Sequence, residues 1–220
     1  MILTQSQIEL ENSLRRILPA GVVSCWIPDG YNRAKDIIRG NHGQCYGTHP
    51  NVPVLPNLIN PSIGWYFDGK DDHISTTLNI DESQPFTWST WVNPQGAGER
   101  DILSTWTGDG AQLLILDDDG SVFFNVDTGV DINNDEWSHL VVVRTTTRNI
   151  VYINKIEIHN VASGVTNSPL PLRIGADGDA SNYFFDGYIA LPFVANKAWS
   201  IAQVKNFGLA TKGLFSPRGF

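Results

Sequence analysis

The acidic side chains are the first candidates for chemistry, and most of them are aspartates: the sequence has seventeen Asp and six Glu. Retaining glycosidases need two carboxyl groups about 5 Å apart, which alternate acidic residues on one strand can supply. Glu157 is the one Glu on an expected strand, and no acidic residue lies two or four positions from it. Nucleophile elbows, phosphate-binding loops and His-Glu-x-x-His pairs are also missing. We therefore predict that the chain is not an enzyme.

Aspartates in turns offer the hard oxygen ligands that calcium prefers. Asp-Gly pairs also occur in turns without any ion, because Asp bonds to the turn backbone and Gly accepts a positive φ. Both interpretations of these turns remain open: a structural calcium site, or Asp-Gly turns that hold no ion. Cys25 and Cys45 lack redox or metal-binding spacing, so they pair only if their strands are neighbours and are otherwise small buried side chains.

Aromatic side chains are the second candidates for chemistry, because a glycan site needs an exposed ring beside polar groups. Four aromatic residues are candidates for such a platform: Trp65, Trp106, Tyr183 and Phe184. Trp88 and Trp91, by contrast, are expected on opposite faces of one strand, since side chains alternate along a strand.

The charge balance excludes several partners. Fifteen Lys and Arg against 23 Asp and Glu give a net charge of −8, and no basic cluster offsets it, so nucleic acid is not expected as a partner. No apolar run approaches the length of about 18 residues that a membrane span needs. The first residues also lack the pattern of a secretory signal, so we expect no export by that route.

The elements that must position these side chains are mostly short strands separated by turn residues. A helix or docking arm is predicted over Gln5–Leu18 and a short closing helix after Ser200, which is a suitable N-cap. Strands recurring about every ten residues favour a sandwich or barrel. The ten expected strands are Val22–Ile27, Gly64–Phe67, Phe86–Val92, Asp101–Trp106, Gln112–Leu116, Ser121–Val126, Trp137–Arg144, Ile150–Asn154, Leu170–Ile174 and Tyr183–Leu191.

Several segments together resemble the laminin-G-like, concanavalin A-like lectin/glucanase family. They follow the family's order along the chain: Gly21–Trp26, Asp36–Gly43, Phe67–Ile74, Phe86–Pro94, Trp137–Val143, Val151–Lys155, Leu172–Gly175 and Phe185–Ile189. The resemblance implies an all-β fold, an antiparallel β-sandwich of the jelly-roll type, with the helices at its two ends. It divides the chain into an N-terminal arm (1–20), the jelly-roll domain (21–199) and a C-terminal helix and tail (200–220).

The same resemblance implies a calcium site. By analogy with the family, Asp36 and Asn41 would cooperate with loop carbonyls and Asp186, and Asp68 is a further candidate ligand. The family's Gly-Tyr-Ile-Asp-Glu segment is here Gly187-Tyr-Ile-Ala-Leu191, so two acidic residues of relatives are missing.

The C-terminal tail resembles the Leu-Phe-x-Pro-Arg endings of laminin-G-like proteins from tailed phages. This favours a structural virion protein, assembled in the host cytoplasm, that decorates or cements a capsid and contacts capsid or tail proteins and copies of itself. The expected docking residues are Leu14, Ile17, Leu18, Leu214, Phe215, Arg218 and Phe220. The alternative is a carbohydrate-binding or adhesion module that recognises a host surface glycan with or without calcium.

Overall fold

A computed structural model describes residues 5–30, 32–50, 63–81, 83–106, 113–163 and 170–215. Two helices flank sixteen strands in this part of the chain. The helices are α1 (Gln5–Ile17) and α2 (Ile201–Lys212). The strands are β1 (Val22–Pro28), β2 (Arg33–Asp36), β3 (Gly43–Tyr46), β4 (His49–Pro50), β5 (Gly64–Asp68), β6 (His73–Ser75), β7 (Phe86–Pro94), β8 (Arg100–Ser104), β9 (Leu113–Leu116), β10 (Ser121–Phe124), β11 (Asp127–Asp131), β12 (Ser138–Arg144), β13 (Arg148–Ile153), β14 (Ile156–Ala162), β15 (Arg173–Ile174) and β16 (Asp186–Ala195).

These strands form two antiparallel sheets that share β1. The first, which we call the helix-covered sheet, runs β16-β7-β12-β13-β14, with β5 and the first half of β1 on the other side of β16 and β4 beside β5. The second, which we call the open sheet, runs β1-β2-β3-β6-β15-β8-β9-β10-β11. The predicted antiparallel sandwich is confirmed.

The main core lies between the sheets and contains the fully buried Trp26, Trp65 and Trp88. Trp91 points the other way, into a second apolar cluster. The three central valines of β12 also point to both sides of the sheet. Val142 belongs to the main core, and Val141 and Val143 belong to the second cluster. The predicted burial of this strand on both faces is therefore confirmed.

The second apolar cluster lies on the outer face of the helix-covered sheet. Leu14 of α1 and Phe207 of α2 are buried in it, together with Trp199 and Phe215. Ser200 begins α2 as predicted: its hydroxyl accepts the N–H of Gln203, whose side chain accepts the N–H of Ser200 in return. Such a reciprocal cap satisfies two backbone donors at the helix start.

The two terminal helices therefore belong to the packed fold. The side chains of Leu14 and Phe215 are buried, and those of Ile17, Leu18 and Leu214 pack partly buried against the same cluster. Arg218 and Phe220 lie outside the described residues. Docking by these side chains onto another protein stays a prediction, and it would require the packing against the sheet to open.

Cys25 and Cys45 are both buried and free, so the pairing that the sequence left open is not present. They belong to different apolar clusters, Cys25 beneath the helices and Cys45 between the sheets. Within the described ranges, neither helix is long and apolar enough to cross a membrane.

The strand predictions differ from the structure mainly where polar residues form short strands. The sequence Arg33-Ala-Lys-Asp36 forms β2, although no apolar alternation marks it. In the other direction, the strand expected from Tyr183 begins only at Asp186. Tyr183 adopts a φ of +55°, a left-handed conformation that cannot continue a strand.

Candidate functional site

A cleft of about 470 Å³ opens where the end of β5, the start of β16 and the start of β8 meet. Asp68 and Asp186 stand opposite each other on β5 and β16. A loop before β16 supplies the opposite side of the cleft. The lining residues are Asp68, Gly69, Ala97, Glu99, Arg100, Ser181, Asn182, Tyr183, Phe184 and Asp186.

The carboxylate of Asp186 is seated against two glycine-containing turns. A Cβ atom at Gly96 would lie 2.5 Å from its Oδ2, and one at Gly69 would lie 2.9 Å from its Cβ. Any larger residue at either position would displace this side chain. The two glycines thus allow Asp186 to occupy the cleft wall.

Asp68 is held by the turn that follows it. Its Oδ1 accepts the N–H of Lys70 at 3.0 Å and its Oδ2 accepts the Lys70 ammonium at 3.1 Å. Burial raises the pKa of Asp68, but these two contacts outweigh it and leave the pKa below its ordinary value. The group is therefore a carboxylate at neutral pH, ready to accept hydrogen bonds from a ligand.

Arg100 contributes the one guanidinium among the described residues of the cleft lining, and it is only 4% exposed. Its Nε donates to the carbonyl of Gly98 at 3.0 Å, whereas its Nη1 is buried and has no hydrogen-bond partner. Burial lowers the pKa of Arg100, and the negative charge of Asp186 raises it. A buried donor without a partner carries a desolvation cost.

Glu99, beside it, also faces the cleft. Burial raises the pKa of its carboxyl, and the nearby Asp117 and Asp118 raise it further. Three acidic groups and one guanidinium therefore line this space, which gives it an acidic character.

Tyr183 and Phe184 form the aromatic side of the cleft. The Tyr183 ring, 36% exposed, lies 6.1 Å from the Trp106 ring. The Tyr183 carbonyl accepts the N–H of Asp101 at 2.8 Å, which ties the strained residue to β8. Left-handed backbone in a non-glycine residue is found preferentially at functional positions, where surrounding contacts hold it.

The loop preceding Tyr183 is organised by Asp177. Its Oδ1 accepts the N–H of Ser181 at 2.8 Å and that of Asn182 at 3.3 Å, and its Oδ2 accepts the Ser181 hydroxyl at 3.1 Å. These bonds fix the backbone that presents Tyr183 and Phe184.

Asp101 lies next to Arg100 on β8 and is fully buried. Burial raises the pKa of Asp101 to about 8, against the opposing effect of a hydrogen bond from Ser104 and with help from the charges of Asp177 and Glu99. Its Oδ2 has no hydrogen-bond partner. Asp101 is thus mostly protonated at neutral pH.

The structure separates the predicted calcium ligands into two pairs. Asp68 and Asp186 share the cleft, but Asp36 and Asn41 form a hydrogen-bonded brace beside β1. The carboxylate of Asp36 accepts the N–H groups of Cys25, Ile38, Arg39 and Asn41 and the hydroxyl of Ser24. Five donors thus occupy the carboxylate oxygens of Asp36, and calcium binding by Asp36 and Asn41 stays a prediction.

A different acidic group has metal-ligand spacing. Ligand atoms of Asp68, Asp71 and Asp72 all lie within 4.8 Å of one another, and no other such group occurs among the described residues. Asp72 is buried and accepts the N–H of Asp68 at 3.0 Å. Burial raises the pKa of Asp72, and the charges of Asp68 and Asp71 act in the same direction.

The predicted aromatic platform is corrected at one position. Trp65 is 0% exposed in the core between the sheets, so it cannot contact a glycan. Tyr183, Phe184 and Trp106 do come together at or beside the cleft. Glu99 and Arg100 were missed, because single charged residues next to a strand carry no pattern that distinguishes them from solvent-exposed ones.

Known structures share this architecture at low sequence identity. Trypanosoma rangeli sialidase in complex with sialic acid matches with a TM-score of 0.71 and 12% identity, over 97% of this chain and 38% of the sialidase. A mutant of that sialidase displaying trans-sialidase activity gives a TM-score of 0.70 at 12% identity, over the same shares of the two chains. The binding domain of botulinum neurotoxin serotype D gives 0.62 at 12% identity, over 87% of this chain and 51% of that domain.

These likenesses show the fold, and the chain spans about two fifths of the sialidases and half of the toxin domain. The prediction that the chain is not an enzyme is wrong, because this fold occurs in solved structures of sialidases and missing motifs do not exclude an enzyme.

No curated protein is significantly similar to the chain in sequence. Residues 68–205, more than half of the chain, match the family model described as the concanavalin A-like lectin/glucanases superfamily. With the antiparallel sandwich on which the cleft is built, this match shows that the chain belongs to the concanavalin A-like lectin/glucanase superfamily.

Proposed function

We propose that the chain binds a glycan and that the cleft holds one of its sugar units. The observation that carries this proposal is the cleft lining, which places the guanidinium of Arg100 beside Tyr183 and three carboxyl groups. A sugar hydroxyl accepts from a guanidinium and donates to a carboxylate, and the apolar face of the ring packs on an aromatic side chain. The cleft offers all three kinds of contact.

The charge of the cleft favours an uncharged sugar. Among the described lining residues, Asp68, Glu99 and Asp186 outnumber Arg100, with Lys70 paired to Asp68. The similar sialidase structure contains sialic acid, which carries a carboxylate of its own. An acidic sugar would meet repulsion here from carboxylates that are only partly screened, whereas a neutral one would find acceptors for its hydroxyls.

Calcium is part of the same proposal. Asp68, Asp71 and Asp72 supply oxygen ligands at suitable spacing beside the cleft, since Asp68 also lines it. A bound Ca²⁺ would tie the turn after β5. The unfolding temperature should then rise with added CaCl₂ and return with a chelator, and Asp71→Asn should reduce that rise.

The experiment is a glycan microarray probed with the labelled chain, followed by calorimetric titration of any bound sugar. Tyr183→Ala should weaken binding about tenfold or more, because it removes the exposed ring of the cleft. Ile156→Ala is the matched control, since Ile156 is 67% exposed on β14, away from the cleft lining.

A second pair of variants tests the carboxylates. Asp186→Asn should weaken binding, while Asp131→Asn, an exposed aspartate on β11, should leave it unchanged. No bound glycan on a broad array, with and without calcium, would overturn the proposal. Equal losses in the cleft and control variants would also contradict it.

A virion-surface role, with the chain decorating a phage capsid or contacting its tail proteins, is the second candidate. The observation that favours it is that both helices keep an apolar side chain on their outer surfaces: Leu209 of α2 is 62% exposed, and Ile8 of α1 is also exposed. Leu209→Lys should then release the chain from purified phage particles without changing its unfolding temperature. Unchanged co-sedimentation of this variant would contradict docking through α2.

A further inference from the structure

Next to the cleft, the open sheet presents a short ladder of rings. Tyr46 on β3 and His73 on β6 are cross-strand partners. Their ring centroids lie 4.6 Å apart with the planes only 16° from parallel. Tyr46 is 48% exposed. Because their neighbours Cys45 and Ile74 point into the core, Tyr46 and His73 stand on the outer face of the sheet.

Phe184 connects this ladder to the cleft. Its side chain belongs to the cleft lining, and its ring centroid lies 6.4 Å from that of His73. The aromatic surface therefore continues without a break from the cleft across β6 to β3. Spacings of this size are comparable with the length of one sugar unit in a chain.

A row of polar side chains runs beside the ladder. Gln44 of β3 stands opposite Ser75 of β6, and Ser75 stands opposite Arg173 of β15. Arg173 is held in place, since its Nη2 donates to the carbonyl of Gly178 at 3.0 Å and its Nη1 to the hydroxyl of Ser75. Gln44 is exposed. Exposed rings with hydrogen-bonding groups alongside suit a sugar, which has an apolar face and a hydroxyl-bearing edge.

Single-stranded nucleic acid fits this surface less well. Stacked bases of single-stranded nucleic acid also use aromatic platforms, but they need a basic groove for the phosphates. The chain has a net charge of −8, and the adjoining cleft is acidic.

We propose that Tyr46 and His73 form a second sugar-binding position and that the ligand is an oligosaccharide running from the cleft over β6 to β3. This inference rests on the proposed function, because the cleft holds the first sugar unit. The second position adds affinity that depends on the length of the glycan.

Calorimetric titration with a length series tests the inference. The probes are glucose, galactose and mannose, each with its linear tri- and pentasaccharide. The wild-type chain should bind the trisaccharide of its preferred sugar about threefold to tenfold more tightly than the single sugar, which is the contribution of one aromatic contact.

Tyr46→Ala should remove this gain and leave the affinity for the single sugar unchanged. Tyr46→Phe should retain the gain because it keeps the ring, and Ile156→Ala should retain it because that residue lies elsewhere. Since Tyr46 is half exposed, the alanine variant should keep the wild-type unfolding temperature.

Equal affinity for single sugars and trisaccharides, or a length gain that survives Tyr46→Ala, would overturn the second position and leave glycan binding in the cleft intact. Tyr46-dependent binding of oligo(dT) in place of sugar would overturn it in favour of nucleic acid. If the wild-type chain binds none of these sugars nor any glycan on the array, the proposed function itself fails, and this inference fails with it.

Discussion

The outer faces of the two sheets are used in opposite ways. On the helix-covered sheet, Trp91 and Phe193 are buried beneath α2, and Phe207 of that helix packs against Phe193. On the open sheet and in the adjoining cleft, Tyr46 and Tyr183 remain exposed, and the buried Arg100 keeps an unpartnered donor. One face is thus covered by packed helices, while the other keeps exposed rings that a ligand can contact.

Breaking the helix-covered face should have the largest effect on stability. Phe207→Ala deletes a ring that contacts Phe193 and Trp199, so we expect the free energy of unfolding to fall by about 3–5 kcal/mol. Chemical denaturation measures this loss. Glycan affinity under native conditions should stay unchanged in the folded fraction. A loss of less than about 1 kcal/mol would contradict the assigned role of α2.

The two faces should also differ in the sign of their pH dependence. Because burial raises the pKa of Asp101 from 3.8 to about 8, its protonated form stabilises the fold fully below pH 3.8, and this stability is lost as the pH rises through 8. Asp101→Asn should therefore become more stable than wild type between pH 4 and 9. Denaturation midpoints across that range measure the difference.

His139, under α2, should behave oppositely. Burial lowers its pKa from 6.5 to about 3, so its contribution is complete above pH 6.5 and is lost as the pH falls towards 3. In a plot of the free energy of unfolding against pH, His139→Gln should reduce the loss of stability at acidic pH. The alkaline side of the plot should stay unchanged. A shared pH trend for the Asp101 and His139 variants would contradict the contrast.

Among the predicted calcium ligands, Asp36 and Asp186 should differ in their effects on stability and on glycan binding. Asp36→Asn should lower the free energy of unfolding by about 1–3 kcal/mol, because at least one buried N–H group or hydroxyl loses its acceptor. Asp186→Asn, in the cleft, should lower stability much less and affect glycan affinity more. Paired denaturation and titration of both variants checks this division, and equal stability losses would refute it.

The smallest stability effect is expected at Tyr183. Tyr183→Gly relieves a left-handed backbone conformation and should raise the free energy of unfolding by up to about 1 kcal/mol. The same change removes the ring from the cleft and should weaken glycan binding. A variant that is less stable than wild type would show that the ring, rather than the ligand site, explains the strained backbone.

The sequence predicted the architecture better than the site. Alternation placed Trp88 and Trp91 on opposite faces correctly, because burial follows from strand period. The prediction that Trp65 belongs to an exposed aromatic platform was wrong. An aromatic residue near a strand end gives no sign in the sequence of whether it faces the core. The cleft depends on register between β5 and β16, which local patterns do not specify.

The aromatic ladder of Tyr46 and His73 was the second feature that could not be predicted from the sequence. Tyr46 and His73 are far apart in the chain and meet only because β3 and β6 pair. The four residues of β3 include too few apolar side chains to predict a strand. Neither its register nor the exposure of the Tyr46 ring could therefore be predicted.

The most direct test of the central claim is an amide chemical-shift titration of the isotope-labelled chain with a glycan selected on the array. We expect saturable shifts confined to the cleft, the Asp177–Phe184 loop and strands β3 and β6, with the amides beneath α2 unchanged. Shifts centred on the helix-covered face, or no saturable shift in the cleft, would contradict it.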